Sequence, residues 1–253
     1  MTTVIVPSRF NGPPASGQGG YSSGVLAAHL EGPATVSLRR PIPLDRELEV
    51  RVEKRGAGSA DRDGDDGAAT VVVRAFDAGG ELAAEAVSAP PLAPWDVPEV
   101  GRKAARRAKN AFTAPADGFF DECYVCGRSR ADGFHLHPGP VAGTDLVASP
   151  WTPPTWAAGE DGAVLPEHVS AALDCPGYFA IHGTDLAIAF LARQQSEVHA
   201  PVLAGVEYVV VGRPLGRDGR KGFAATAIVD ADGEVLAQSE QLLIVPRESM
   251  SQK

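Results

Sequence analysis

The sequence predicts an α+β fold in which two similar halves each combine one apolar helix with about four antiparallel strands. Three observations carry this prediction: a repeated hairpin pattern, one helix-like stretch ahead of the strands in each half, and a Pro-rich segment between the halves. A chain of 253 residues is long enough for two small domains. We therefore expect residues 1–90 and 119–253 to form the two halves, with residues 91–118 as a linker.

The clearest repeat is a pair of hairpins. Residues 68–89 form two apolar runs around a turn at 77–80, and residues 222–245 do the same around a turn at 230–233. A Gly-Gly or Asp-Gly turn between such runs is a strong hairpin signal. The stretch 56–67 alternates glycine with charge and predicts a solvated loop. Two further strands are predicted ahead of each hairpin, around 35–39 and 47–52 in the first half and around 186–191 and 205–210 in the second.

Each half also contains one helix-like stretch, at residues 20–30 and 167–182. Both stretches are built of small and apolar residues nearly all round, which is typical of a helix that is buried on every side. A sheet that curls around one helix provides that burial. We expect the sheets of the two halves to pair edge to edge, because pairing covers strand edges that would otherwise be exposed.

Composition excludes several classes of protein. The net charge of -9 argues against nucleic-acid binding, which needs a positive surface. Proline, glycine or charge interrupts every apolar run before it could cross a bilayer, and the N-terminus shows no signal-peptide pattern. Three cysteines give no disulfide framework. The expectation is a soluble, cytoplasmic protein that binds neither nucleic acid nor membrane.

The order of elements resembles the hotdog fold, and two such halves resemble a double-hotdog protein of the acyl-CoA thioesterase superfamily, with two antiparallel sheets each wrapping a central helix. In phenylacetate-type thioesterases of this superfamily, the motif N-x-x-G-x-x-HGG opens the central helix, and an acidic residue follows nine positions after the His. The first half here supplies Asn11, then Gln18 in place of the His, then Gly19 and Gly20. The ninth residue after Gln18 is Ala27, so the first half lacks the acidic residue of the motif.

The second half shows the opposite loss. Asp174 stands at the acidic position of its helix, and counting nine residues back reaches Leu165 in place of the His. In homodimeric relatives the glycine turn and the carboxylate come from different subunits. The resemblance therefore implies one composite site built from Gln18, Gly19, Gly20 and Asp174, with Ala27 and Leu165 marking a vestigial one.

The chemistry of thioester hydrolysis suits these residues. The reaction passes through an oxyanion, and the free N–H groups of a helix N-terminus can stabilise it. Glycine at positions 19 and 20 lets the backbone approach the thioester carbonyl closely, and the N–H of Gly20 is the predicted oxyanion donor. Asp174 then serves either as a nucleophile or as a general base for water, and the sequence leaves both roles open. On the same helix, Ser170 is predicted to help hold the water, and Glu167 and His168 are the other predicted substrate-binding residues.

The cysteine pattern is interpreted without a metal. Cys123 and Cys126 form a lone C-x-x-C, and the downstream His135 and His137 depart from the usual spacing of a zinc site. Cys175 is a further candidate metal ligand elsewhere in the chain. The sequence favours a tight turn with unmetallated thiols, and no cofactor is expected beyond coenzyme A as part of the substrate.

The leading functional hypothesis is thus a thioesterase that hydrolyses an acyl-CoA or related small-molecule acyl thioester. The alternative is a non-catalytic acyl-CoA or acyl-ligand-binding protein, because each half has lost part of the motif. A hydratase or dehydratase is less favoured, since the D-x-N-P-x-H pattern of those enzymes is absent. The basic run 102–109 is interpreted either as a solvated helical linker or as a site for coenzyme A phosphates. The acyl group, the choice between coenzyme A and acyl carrier protein, and homodimer formation are left open.

Overall fold

The computed structural model describes residues 2–55, 70–96, 98–115, 118–182 and 188–247. Three α-helices are present in this part of the chain: α1 (Gly19–Ala27), α2 (Arg102–Asn110) and α3 (Pro166–His182). The strands of the first half are β1 (Thr2–Ile5), β2 (Ala34–Leu38), β3 (Glu47–Arg55), β4 (Thr70–Phe76) and β5 (Leu82–Ser88). Those of the second half are β6 (Gly139–Pro140), β7 (Val147–Trp151), β8 (Phe190–Val198), β9 (Tyr208–Asp218), β10 (Lys221–Val229) and β11 (Val235–Ile244).

The strands form one continuous antiparallel sheet rather than two separate sheets. Its order is β1-β3-β4-β5-β2-β8-β11-β10-β9-β7-β6, so each half keeps its own strands together. The halves meet where β2 pairs with β8 through Thr35 and Gln195, Val36 and Gln194, and Ser37 and Arg193. This ladder supplies backbone partners to two strands that would otherwise be edges. Both predicted hairpins are present, as β4–β5 and β10–β11.

Helices α1 and α3 pack against each other in antiparallel directions, and both also contact strands of this sheet. Every residue of α3 from His168 to His182 is buried, which agrees with its nearly uniform apolar composition. Two glycines of α1 allow the close approach. A Cβ added to Gly20 would lie 2.5 Å from the carbonyl oxygen of Ser170, and one added to Gly24 would lie 2.5 Å from Cα of Glu167. Any side chain at these positions would push the helices apart.

Several element boundaries differ from those predicted. Helix α1 begins at Gly19 and ends at Ala27, three residues before the predicted end. Strand β9 begins at Tyr208 rather than at 205, because Gly205 has φ of 79° and forms a turn. Strand β8 runs over Phe190–Val198, and the start of the predicted strand at 186–187 lies outside the described residues. The predicted loop at 56–67 also lies outside them.

The segment 91–118 contains helix α2, which is not a free solvated linker. Ala105 and Ala108 are buried and pack in a small apolar cluster with Leu146 of the loop before β7 and with Val209 and Val211 of β9. The arginines of the basic run lie on the outer side of the helix. Two of them, Arg102 and Arg106, pair with Glu207. The alternation of alanine and basic residues thus gives α2 one face for the sheet and one face for solvent.

No helix in the described part of the chain has both the length and the apolar character that a membrane span requires.

Candidate active site

The composite site predicted from sequence assembles where the N-terminus of α1 meets the middle of α3. Gln18 is the N-cap of α1, and its side-chain oxygen accepts a hydrogen bond from the N–H of Tyr21 at 2.6 Å. The other end of the same amide, Nε2, donates to Oδ2 of Asp174 at 2.6 Å. Because the oxygen is committed to the cap, the NH₂ group must point at the carboxylate. Gln18 therefore joins helix capping to the orientation of Asp174.

Asp174 is buried, and its Oδ2 accepts a second hydrogen bond from the N–H of Gly20 at 2.8 Å. Burial raises the pKa of Asp174 to about 7, against the lowering effect of the Gly20 N–H, and a contribution from Cys123 raises it further. Within the described residues, Oδ1 accepts no hydrogen bond from any protein donor. One oxygen of the carboxylate is thus held by two donors, while the other is left for a ligand or a water molecule.

A cavity of about 540 Å³ opens over this carboxylate. It lies between the two halves, since its lining includes residues 12–19 and 38–42 of the first half as well as Asp174 of the second. Much of its wall is apolar and is contributed by Phe119, Phe120, Tyr178, Leu191 and Leu243. Three exposed arginines, Arg39, Arg40 and Arg220, also line it. Arg39 and Arg40 form ion pairs with Glu85 and Glu81, so among the described residues Arg220 is the one of the three without an ion pair. The cavity is therefore a largely apolar chamber with a buried carboxylate and exposed cations in its lining.

Gly19 contributes the other feature of the helix N-terminus. It lines the cavity, and within the described residues its N–H has no hydrogen-bond acceptor. A Cβ at this position would lie 2.8 Å from Cβ of Leu191 and 3.1 Å from Oδ2 of Asp174, so the site is built around a glycine. Gly20 differs, because its N–H is already bonded to Asp174 and it does not line the cavity. The predicted oxyanion donor, the N–H of Gly20, is thus engaged by Asp174. Among the described residues, the unpaired N–H beside the chamber is that of Gly19.

Asn11, the remaining predicted residue of the glycine motif, holds the loop in place instead of lining the cavity. Its side-chain oxygen accepts a hydrogen bond from Nη1 of Arg130 at 2.7 Å. Its backbone oxygen accepts from the N–H of Tyr124 at 3.0 Å, and it forms a β-bridge with Gly17. Asn11 thereby fixes the loop that leads into α1 and ties that loop to the second half of the chain.

We expect Asn11→Ala to lower the free energy of unfolding by about 1–3 kcal/mol, because it removes the shortest of the hydrogen bonds of Arg130 Nη1 and with it the side-chain tie of the loop. The kcat of the folded variant should stay close to that of the wild type, because Asn11 does not line the cavity. Urea unfolding followed by circular dichroism measures the difference, with Asn110→Ala as the matched control at the exposed end of α2. Equal stability of the two variants would contradict this structural role of Asn11.

The three predicted substrate-binding residues, Ser170, Glu167 and His168, do not reach the cavity. Helix α1 covers the first turns of α3, so that Asp174 emerges only where α1 begins. Ser170 accepts a hydrogen bond from Gln194, and its hydroxyl also contacts that of Ser196 on β8. Ser170 was predicted to act with Asp174 because both lie on one face of α3. In the structure, the part of that face that carries Ser170 packs against α1 and the sheet.

His168 lies in an aromatic cluster on the other side of α3. The rings of Phe10 and Tyr21 have centroids 5.1 and 5.3 Å from its own. Burial, together with the charge of Arg9, lowers the pKa of His168 to about 4. It is therefore a neutral core residue. Glu167 lies against Gly24, and the predicted vestigial positions Ala27 and Leu165 supply neither a carboxylate nor a glycine turn.

Sequence reasoning did not predict that three thiols would meet beside Asp174. The Sγ atoms of Cys123, Cys126 and Cys175 all lie within 4.8 Å of one another, and all three residues are buried and line the cavity. Hydrogen bonds from the other two thiols hold the pKa of Cys123 well below its usual range. The C-x-x-C motif signalled two of the thiols. Nothing in the sequence signalled that α3 would bring the third one to them.

Comparison with known proteins identifies the fold. No family model matches the chain, and no curated protein matches it. Among solved structures, a protein from Novosphingobium aromaticivorans assigned provisionally as a thioesterase has a TM-score of 0.63 at 14% identity, covering 97% of this chain and 95% of its own. A provisional thioesterase II from Thermobifida fusca has a TM-score of 0.61 at 17% identity, with 97% and 93% covered. A conserved hotdog-fold protein of unknown function from Alicyclobacillus acidocaldarius has a TM-score of 0.60 at 13% identity, with 97% and 92% covered.

These similarities extend over almost the whole chain, and at such low identity they establish the fold. The chain has an α+β hotdog fold, and two of these structural neighbours are themselves described as provisional thioesterases. The resemblance drawn from the sequence motifs is confirmed at this level.

Proposed function

We propose that the chain is a double-hotdog thioesterase that hydrolyses an acyl-CoA or related acyl thioester at one composite site between its halves. One observation carries the proposal. Asp174 of the second half lies at hydrogen-bond distance from Gly20 and Gln18 of the first, and both Asp174 and Gln18 line the largely apolar cavity. The contact brings together the two motif parts that the halves retain separately, across 154 residues of sequence.

The residues of this site support a division of labour. Gly20 and Gln18 hold Oδ2 of Asp174 and so fix the direction of Oδ1. In the base mechanism, Oδ1 accepts a proton from water while the water oxygen attacks the thioester carbonyl. In the nucleophile mechanism, Oδ1 attacks the carbonyl itself, and water then hydrolyses the acyl-enzyme anhydride. In either case the Gly19 N–H stabilises the oxyanion, and collapse of the intermediate expels the thiol.

Gln18 acts in this scheme only through hydrogen bonds. Its amide neither gains nor loses a proton near neutral pH, so it cannot replace the imidazole of the related motif in proton transfer. It can still orient Asp174 and cap the helix, as its two bonds indicate. Gln18, which stands where the related motif has His, thus keeps a positioning role without a role in proton transfer.

Positive charge in the cavity lining suits a thioester of coenzyme A. Arg39, Arg40 and Arg220 contribute to this lining, and Arg220, which has no ion pair among the described residues, can attract phosphate groups. The basic run 102–109 has no part in the lining, so the sequence hypothesis that it binds coenzyme A phosphates is not part of this proposal. The apolar wall formed by Phe119, Phe120 and Leu191 is suited to the acyl group.

A panel of acyl-CoA substrates tests the proposal. Short, medium, long and aromatic acyl groups are incubated with the chain, and released coenzyme A is quantified by chromatography, which avoids interference from the protein's own thiols. Saturable hydrolysis of at least one member is the expected result. No hydrolysis of any acyl-CoA or acyl carrier protein thioester, by a folded chain, would refute the proposal.

A second candidate is a non-catalytic acyl-ligand-binding protein. The observation that favours it is the direct pairing of Asp174 with Gly20 and Gln18, because two donors at the helix N-terminus are already engaged by a protein group. Calorimetry with acyl-CoA distinguishes the two functions. Saturable binding without any release of coenzyme A supports the binder.

Exchange of Gly19 tests the assignment of the oxyanion donor. Gly19 is the first residue of α1, where proline fits the helix and removes only an unpaired N–H. We expect Gly19→Pro to lower kcat by about 100-fold or more relative to Gly19→Ala, which crowds Leu191 in the same way but keeps the N–H. Steady-state kinetics of both variants provides the measurement. Equal kcat values would show that the oxyanion is stabilised elsewhere.

A further inference from the structure

Three cysteine side chains meet at the wall of the cavity, and the proposed hydrolysis uses none of them. Cys123 and Cys126 come from the loop that opens the second half, ahead of β6, and Cys175 comes from the middle of α3. Their sulfur atoms all lie within 4.8 Å of one another. A tetrahedral zinc ion with Zn–S bonds of about 2.3 Å holds its sulfurs about 3.8 Å apart. The cluster therefore needs to contract by no more than about 1 Å to bind such an ion.

The loop that carries Cys123 and Cys126 is shaped tightly around its first sulfur. The N–H of Gly127 donates to the carbonyl oxygen of Cys123 at 2.7 Å, and a Cβ at Gly127 would lie 2.4 Å from that oxygen, so only glycine fits. The N–H of Leu136 donates to the carbonyl oxygen of Val125 at 2.9 Å, so the backbone between the two cysteines is also held in place.

Cys175 brings the third sulfur from a different element. Helix α3 is buried along nearly its whole length, so the position of this sulfur is determined by the core of the protein. The side-chain amide of Gln18 donates a hydrogen bond to this sulfur, with Nε2 3.9 Å from Sγ. Within the described part of the chain, no histidine joins the three sulfurs. The ligand set is therefore three cysteines, two local and one distant.

We propose that Cys123, Cys126 and Cys175 bind one zinc ion, whose fourth position faces the cavity. On binding, each thiol releases its proton to solvent and forms one Zn–S bond, so no oxidant or reductant is required. Three protein ligands with an open fourth position are typical of zinc sites that bind an exogenous group. The proposal goes beyond thioester hydrolysis and does not depend on it.

The sequence favoured unmetallated thiols because it showed too few suitably spaced ligands around Cys123 and Cys126. It offers Cys175 as a further ligand but does not place it near Cys123 and Cys126, and the spacing of His135 and His137 departs from that of a zinc site. The structure supplies Cys175 as the third ligand and leaves both histidines outside the cluster. Three buried thiols without a metal have only one another and nearby N–H groups as partners. A zinc ion joins them by strong bonds and ties the loop to α3.

Metal analysis of the untagged full chain provides the test. After exhaustive dialysis, the wild type is expected to contain about one equivalent of zinc, and Cys123→Ser and Cys175→Ser are expected to lose at least about nine-tenths of it. The control His135→Asn is expected to keep its zinc, since Asn tolerates the positive φ of 50° at this position. Thermal unfolding should occur at lower temperature after chelation of the wild type.

A second measurement applies if the cysteine variants fail to fold. The chelated wild type is titrated with Co²⁺, and sulfur-to-cobalt charge-transfer absorption that saturates at one equivalent, and that Zn²⁺ displaces, supports the site. The proposal is overturned if the folded wild type binds neither ion while all three thiols react under denaturing conditions. Loss of two reactive thiols with a mass two hydrogens lower would show a disulfide instead and would also overturn it. Zinc content and coenzyme A release are separate readouts, so either proposal can fail alone.

Discussion

Asp174→Asn is expected to lower kcat for thioester hydrolysis by about 100- to 10,000-fold, while the Kd for substrate stays within about threefold. Asparagine has nearly the same shape, and its side-chain oxygen can still accept the hydrogen bonds from Gly20 and Gln18. It cannot accept a proton from water or attack a carbonyl as a carboxylate does. The variant therefore separates chemistry from binding. Single-turnover kinetics and calorimetry with the same acyl-CoA measure the two effects.

Glu167→Gln on the same helix is the matched comparison for this variant. Glu167 lies against Gly24 and does not line the cavity, so its exchange should leave kcat within about threefold. Near-normal turnover in Asp174→Asn, together with a large loss in Glu167→Gln, would transfer the catalytic role to Glu167. His168 is the next alternative on that helix.

Gly24→Val is expected to lower the free energy of unfolding by about 3 kcal/mol or more, which is a large effect for an exchange far from the carboxylate. The first atom of any side chain at this position would lie 2.5 Å from Cα of Glu167 and 3.0 Å from its Cβ. Backbone atoms cannot rotate away, so α1 and α3 must separate. Because Asp174 and the N-terminus of α1 are held by the same packing, activity should fall with stability.

Gly101→Val serves as the control for that exchange. Gly101 precedes α2, and a Cβ there has no neighbour within 4 Å. We expect its effect to stay below about 1 kcal/mol. Chemical denaturation of both variants gives the comparison. A Gly24 variant as stable as the Gly101 variant would show that the two helices can move apart at little cost.

The antiparallel contact of α1 and α3 explains how one chain forms a composite site. The two glycines of α1 bring the helices together, and the N-terminus of α1 then lies beside the middle of α3. At the opposite end of the pair, Ala27 and Leu165 provide neither the acid nor the free N–H groups. The chain accordingly brings its retained motif parts together at one end of the helix pair.

The sequence by itself determined the features that depend on local patterns. The hairpins β4–β5 and β10–β11 follow from turn glycines between apolar runs, and both helices follow from continuous apolar stretches. The complementary motifs also identified Gln18, Gly19, Gly20 and Asp174 as residues that should meet. Each of these signals lies within a few residues of sequence, where spacing alone reports which side chains share an element.

Only the tertiary structure decided the features that depend on contacts between distant segments. The sequence assigned the oxyanion to the N–H of Gly20, whereas in the structure that N–H is bonded to Asp174 and, among the described residues, the N–H of Gly19 has no acceptor. It grouped Ser170 with Asp174 on one helical face, although α1 covers that face up to Asp174. It could not place Cys175 beside Cys123, because the packing of α3 against a loop about fifty residues earlier depends on the whole core, which no local pattern encodes.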